Sequence, residues 1–150
     1  HIWKGERNNM AKEYKLSPER LKELQEEMNL TYLFISHDLS VVEHLCDRVA
    51  IMYLGQLMEI GTVDQIYDNP QHPYTQGLIG SGHKIGTKNQ DRLFSIEGTV
   101  PLALNLKPGC GFYDRCTERI EGVCDKIDPE SICLGGTHCV ACHRCKKEVE

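Results

Sequence analysis

Behind Ser17-Pro18, the apolar residues Leu21, Leu24 and Met28 recur at intervals of three and four, with Glu19, Glu23, Glu26 and Glu27 between them. The pattern predicts an amphipathic helix ending near Asn29. Serine at the N-cap and proline at the first helical position suit its entry, because proline's missing N–H costs little there. Thr31 to Ser36 then runs unbroken through β-formers. Without alternation, this reads as a strand buried on both faces, as in a parallel sheet covered by helices. Asp38 or Ser40 is placed to cap a following helix with Val41, Val42 and Leu45 on its inner side. Val49 to Leu54 and Leu57 to Ile60 read as two strands joined at Gly55-Gln56, and glycine at the first central position predicts a type II′ hairpin. Thr62-Val63-Asp64-Gln65 has the form of a capping box for a short helix reaching Tyr67. Pro70 and Pro73 mark a turn before a helix from Pro73 to about Ile79. Gly80 to Gln90 reads as a flexible linker and Leu93 to Ile96 as a last strand.

Apolar residues concentrate between Leu21 and Ile79, whereas residues 80–150 are rich in Gly, Cys and charge. The expectation for that second part is loops and short turns tethered by metal rather than by a large core. A hydrophobic fraction of 40% in 150 residues suits one ordinary domain, or a small one with an appendage. The net charge of -5 argues against a nucleic-acid binder, which needs a basic face. No run approaches the ~20 apolar residues of a membrane-spanning helix, and no signal peptide opens the sequence. Residues 1–16 show no periodicity, and Met10 stands as a candidate native start.

Seven of the eight cysteines lie between residues 110 and 145. Cys110, Cys116, Cys124 and Cys142 follow the spacing C-x5-C-x7-C-x17-C, looser than the paired C-x2-C of zinc ribbons. A thiolate-rich set of this kind favours an iron–sulfur cluster or zinc over hard cations. In a reducing compartment, metal ligation is a better use of these residues than disulfides. Cys139, Cys142, His143 and Cys145 form a second candidate cluster, able to take zinc or to exchange ligands with the first. Cys139-Val140-Ala141-Cys142-His143 also matches the haem-attachment pattern, which the lack of an export signal disfavours. The bland alternative is a set of thiols in a loosely folded tail. His138 and His143 read as solvated, Cys46 as a small buried hydrophobe, and Pro73 and Tyr74 as turn-packing residues. Gly80, Gly82 and Gly86 miss the G-x-G-x-x-G spacing of a dinucleotide site.

Tyr32-Leu33-Phe34-Ile35-Ser36-His37-Asp38-Leu39-Ser40-Val41-Val42 resembles the C-terminal half of the ATP-binding subunit of oligopeptide and dipeptide ABC importers. Further segments agree in order: Cys46 to Gly55, His72-Pro73-Tyr74-Thr75, Gly109-Cys110 with Arg115-Cys116, and His138 with Cys142-His143. The likeness covers residues 21–150. The first segments suit ABC ATPases at large, and His-Pro-Tyr-Thr with the cysteine tail suits the peptide and nickel importer branch.

The resemblance implies an α/β fold, the C-terminal fragment of a P-loop NTPase-type ABC nucleotide-binding domain plus an irregular cysteine-rich C-terminal domain. Residues 1–16 are unassigned, residues 17–80 correspond to the nucleotide-binding domain, and residues 81–150 to the linker and cysteine-rich domain. His37 is then the switch histidine, which hydrogen-bonds the γ-phosphate and orients the attacking water, with ATP and Mg²⁺ as cofactors of the intact family member. Members of the family can carry an iron–sulfur centre on such cysteines, which ranks [4Fe–4S] above zinc on Cys110, Cys116, Cys124 and Cys142. The implied partners are the missing N-terminal half of the ATPase domain, a second ATP-binding subunit and membrane permease subunits, at the cytoplasmic face of the cell membrane. The departures are equally plain. The sequence has no Gly-x-x-x-x-Gly-Lys-Ser/Thr loop, no Leu-Ser-Gly-Gly-Gln motif and no acidic strand end to support Mg²⁺, so the chain alone is expected not to hydrolyse ATP. A stand-alone metal-binding or protein-interaction module is the alternative.

Overall fold

The computed structural model describes residues 17–82 and 108–145. The chain falls into two compact units, His1–Leu33 and Phe34–Glu150. The described element of the first is α1, Pro18–Met28. The Ser17 side chain accepts the Arg20 N–H, and Asn29 closes the helix in the left-handed region at φ 51°. Both ends are therefore satisfied locally, as the sequence leads one to expect.

The second unit is built on an antiparallel sheet. Its elements are α2 (Leu39–Leu45), β1 (Arg48–Tyr53), β2 (Gln56–Thr62), α3 (Val63–Asp68), α4 (Pro73–Gly82), a 3₁₀ turn (Tyr113–Arg115), β3 (Ser131–Gly135) and β4 (His138–Ala141). The strand order is β1-β2-β4-β3, with every neighbouring pair antiparallel. Along β1 the alternation is strict: Val49, Ile51 and Tyr53 are buried while Arg48, Ala50 and Met52 face out. Val49 and Ile51 meet Ile66 and Tyr67 of α3 and Ile79 of α4, with Leu39 and Val42 of α2 and the adjoining Cys46 closing the cluster. The Tyr67 hydroxyl donates to the Leu39 carbonyl at 2.6 Å, which ties α3 to the start of α2.

Local capping signals hold where they were read. Asp38 Oδ1 accepts from Ser40 and Val41 at the start of α2, and Thr62 with Gln65 forms a reciprocal capping box on α3. Two turn-level expectations are corrected. The β1–β2 hairpin turns on Leu54 (φ 47°) and Gly55 (φ 81°), so both central residues are left-handed and the turn is of type I′ rather than II′. Cys46 is the C-cap of α2 rather than a residue within its face, though it is half-buried against the core as expected.

Thr31 to Ser36 forms no strand. Leu33 and Ile35 are 93% and 90% exposed, and no described strand offers their backbone a partner. A β-rich hexapeptide becomes a strand only when another strand takes its N–H and C=O groups. Exposed apolar side chains beside unpaired backbone favour association. The chain is expected to self-associate, and Leu33→Ser with Ile35→Ser to lower its apparent mass by light scattering. A dilution-resistant monomer of the unsubstituted chain would contradict this.

The cysteine-rich part is more regular than loops and turns. β3 and β4 form a hairpin, and β4 joins the first hairpin through Glu59↔Val140 and Ile60↔Cys139. The sheet thus continues across the boundary drawn at residues 80/81. Gly80 and Gly82 lie in α4, while the rest of the linker, the strand at Leu93 to Ile96 and residues 1–16 fall outside the described residues. Among the described residues, no helix is long and apolar enough to cross a membrane.

Candidate metal centre beside the His72 turn

Glu59 comes from β2 and is fully buried. Its Oε1 accepts the Gln71 N–H at 2.8 Å, its Oε2 accepts the His72 N–H at 2.9 Å, and Oε1 lies 2.7 Å from His138 Nε2. A buried carboxylate demands such partners, and these fix the His72-Pro73-Tyr74-Thr75 turn to both β2 and β4. His72 is 1% exposed, and its Nδ1 accepts the Tyr74 N–H at 3.0 Å. Tyr74 packs on Tyr53 and Phe112, with ring centroids at 4.9 and 5.2 Å, so the turn-packing expectation for it holds.

His72 titrates well below the ordinary imidazole value of 6.5, at about 4, because burial disfavours its cation and the Glu59 carboxylate offsets only part of this. Between those two values an unfolded chain takes up a proton that the folded one refuses. Stability is therefore expected to fall as pH drops from about 6.5 towards 4, by up to about 1.4 kcal/mol per pH unit. Urea midpoints at pH 7 and pH 5 measure it, and His72→Asn should flatten the slope. A pH-independent midpoint in both proteins would contradict the buried neutral imidazole.

His72 and Pro73 also line a small part-open cleft, together with Cys110, Cys116, Cys124 and Cys142. The structure therefore brings together the four cysteines singled out in the sequence, although the last lies 32 positions after the first. The cleft is pinned where two loops cross. The Cys110 N–H donates to the Cys124 carbonyl at 2.8 Å, and the Gly109 N–H donates to Asp128 Oδ1 at 2.7 Å. Gly109 has φ 104°, and a Cβ there would stand 2.5 Å from the Cys124 carbonyl oxygen, so only glycine permits the crossing.

Burial, reinforced by the neighbouring thiols, pushes Cys110 and Cys116 up to about 11, and burial raises Cys142 as well. Backbone N–H groups also point at sulfur: Ile120 N–H donates to Cys124 Sγ at 3.4 Å, Phe112 N–H to Cys110, and Arg144 N–H to Cys142. Four soft donors around one cleft, three of them already accepting backbone N–H groups, fit a thiolate-bound group. Among the described residues, no three His, Cys, Asp or Glu side chains converge tightly enough to form a ready-made site for a single ion. Arg144 pairs with Glu118 at the rim, and His143 Nε2 donates to the Ile127 carbonyl at 2.8 Å.

The remaining residues divide differently from expectation. Cys139 is disulfide-bonded to Cys133 across the β3–β4 hairpin, which corrects both the expectation of reduced thiols and its place in a Cys139-Cys142-His143-Cys145 cluster. Cys145 stays a thiol, hydrogen-bonded to Cys142 and raised to about 11, chiefly by burial. His138 is buried on Glu59 rather than solvated, and His143 is half-buried at the cleft. His37 sits exposed at a bend before α2, away from the lining of the cleft. Glu59 and the burial of His72 were missed from the sequence. A carboxylate inside the apolar run Leu57-Met58-Glu59-Ile60 was the signal available, since a charge at such a position requires buried partners.

Residues 58–124 match the family described as oligopeptide/dipeptide transporter, C-terminal region. The dipeptide transport ATP-binding protein DppF of Escherichia coli (strain K12) is 45% identical over 122 residues, 81% of this chain and 36% of that protein. The oligopeptide transport ATP-binding protein AppF of Bacillus subtilis (strain 168) is 47% identical over 126 residues, 82% of this chain and 38% of that protein. DppD of the same organism is 42% identical over 124 residues, 83% and 36% of the two chains. The chain thus spans little more than a third of the length of these relatives. The matched residues include both the Glu59-anchored His72 turn and three of the four cleft cysteines, and over about four-fifths of its length the chain is similar to a part of these oligopeptide and dipeptide transport ATP-binding proteins that includes their C-terminal region.

Proposed function

We propose that this chain serves as the C-terminal region of the ATP-binding subunit of a peptide importer, and that Cys110, Cys116, Cys124 and Cys142 hold a [4Fe–4S] cluster within it. The observation that carries the reading is the convergence of these cysteines on one cleft beside the His72 turn. A tetrahedral zinc site with Zn–S bonds of about 2.3 Å needs sulfurs about 3.8 Å apart around a single point. The donor set on the cleft suits either group, and the family likeness is what ranks the cluster above zinc. Binding would release the protons that burial holds on the thiols and would add folding free energy to a glycine-rich segment. Residues 17–80 contribute to the nucleotide-binding domain and residues 81–150 form the cysteine-rich appendage, the two sharing one sheet.

In this reading ATP and Mg²⁺ are bound mainly by residues beyond these 150, because the phosphate loop and the Mg²⁺-supporting acid are not in the sequence. His37, exposed at the bend before α2, would meet the γ-phosphate once that site is assembled. The partners are the rest of the ATPase domain, a second ATP-binding subunit and the permease subunits, at the cytoplasmic face of the membrane. Anaerobic purification followed by iron, sulfide and zinc analysis tests the cluster, and about four irons and four sulfides per chain are expected. The isolated chain should show no ATP turnover. Zinc without iron, or turnover abolished by His37→Ala, would overturn the respective half of the reading.

A further inference from the structure

The turn clamped by Glu59 also fixes the tautomer of a histidine that lines the thiol cleft, through the Tyr74 N–H on its ring. The His72 main-chain N–H is taken by Glu59 Oε2 at 2.9 Å, and the Tyr74 N–H is given to His72 Nδ1 at 3.0 Å. Nδ1 therefore acts as an acceptor, which leaves the neutral ring's proton on Nε2. The ring is 1% exposed and stands 5.9 Å from the Phe112 ring, centroid to centroid, so its rotation is restricted as well. It lines the same cleft as Cys110, Cys116, Cys124 and Cys142.

We infer that His72 is a positioning residue for the group bound by these four cysteines, with its Nε2–H serving as a fixed neutral hydrogen-bond donor to the sulfur-rich face of that group. The inference rests on the cluster reading above and deepens it. Backbone N–H groups already reach Cys110, Cys124 and Cys142, and His72 adds a side-chain donor from outside the cysteine-rich segment. Hydrogen bonds to cluster sulfurs stabilise the more negative, reduced state and raise the reduction potential. Through Glu59 and His138, the donor is held by β2 and β4 at once. A structural turn residue is thereby also a determinant of the cluster's electronic state.

The test separates these two roles by choosing which nitrogen to keep. In His72→Asn, the shorter amide can place its oxygen where Nδ1 was and still accept the Tyr74 N–H, while nothing replaces Nε2–H at the cleft. In His72→Gln, the longer amide can restore a donor near Nε2. Both variants and the unsubstituted chain are purified anaerobically, assayed for iron and sulfide, and titrated for reduction potential by electron paramagnetic resonance. The asparagine variant should load the cluster but show a more negative potential, its reduced fraction at fixed potential falling about tenfold, the scale of one lost charge-assisted hydrogen bond. The glutamine variant should recover part of that shift. An unchanged potential and spectrum in a fully loaded asparagine variant would overturn the inference and leave the cluster reading intact. Failure of the unsubstituted chain to bind iron and sulfide would instead overturn the cluster reading, and this inference with it.

Discussion

Glu59→Ala is expected to destabilise the second unit by about 3–5 kcal/mol, more than any other single substitution on β2. The carboxylate takes hydrogen bonds from Gln71 and His72 and meets His138, and all three partners would be left facing an apolar methyl group. Each buried donor without an acceptor costs about 1–3 kcal/mol, and the lost side-chain volume adds a cavity. Glu59→Gln keeps the volume and one accepting oxygen but turns an amide donor towards other donors, so an intermediate loss is expected. Urea denaturation of the three proteins measures the series. A change below about 1 kcal/mol for the alanine variant would show that the turn is held by its aromatic packing instead.

Cys124→Ser should abolish cluster loading and open residues 108–145 to protease, an effect visible in iron and sulfide content, absorption and digestion pattern together. Cys124 is buried, its sulfur receives the Ile120 N–H, and its carbonyl receives the Cys110 N–H, so it stands where the two loops of the cleft are joined. Serine keeps the backbone link but supplies a hard oxygen in place of a soft thiolate. Cys133→Ser should retain the cluster, since that residue is bonded to Cys139 on the hairpin and does not line the cleft. Cys145→Ser should also retain it. Cluster retention by Cys124→Ser, or its loss in Cys133→Ser, would assign the ligands differently.

The parts of this fold that were legible in the sequence are those settled within a few residues. The Ser17 and Thr62 caps, the strand at β1 and the proline-marked entry to α4 each act across less than two turns of chain, and the structure keeps them. Thr31 to Ser36 was misread because its propensity is local but a strand is not, and no described strand pairs with it. The β3–β4 hairpin was overlooked because cysteines and glycines hid an ordinary signal: Ile132, Leu134 and Val140 flank the turn Gly136-Thr137, where Gly136 has φ 54°. The four cleft cysteines were recognisable by residue type and through the family likeness. The clamp around them was not, because Glu59 meets His72 across 13 residues and His138 across 79. No local pattern reports a contact of that span.

The shared sheet has a consequence for the covalent chain itself. Residues 34–82 and 108–145 are joined by the β2–β4 ladder, by the Glu59–His138 contact, by the Gly111 N–H donating to Gln56 at 3.1 Å, and by Phe112 seated between Tyr53 and Tyr74. None of these links passes through residues 83–107. The two described stretches of this unit are therefore tied by contacts distant in sequence, and neither completes the four-stranded sheet without the other. Loss of either stretch should therefore unfold the sheet as a whole, because the β2–β4 ladder and the Glu59–His138 contact need both.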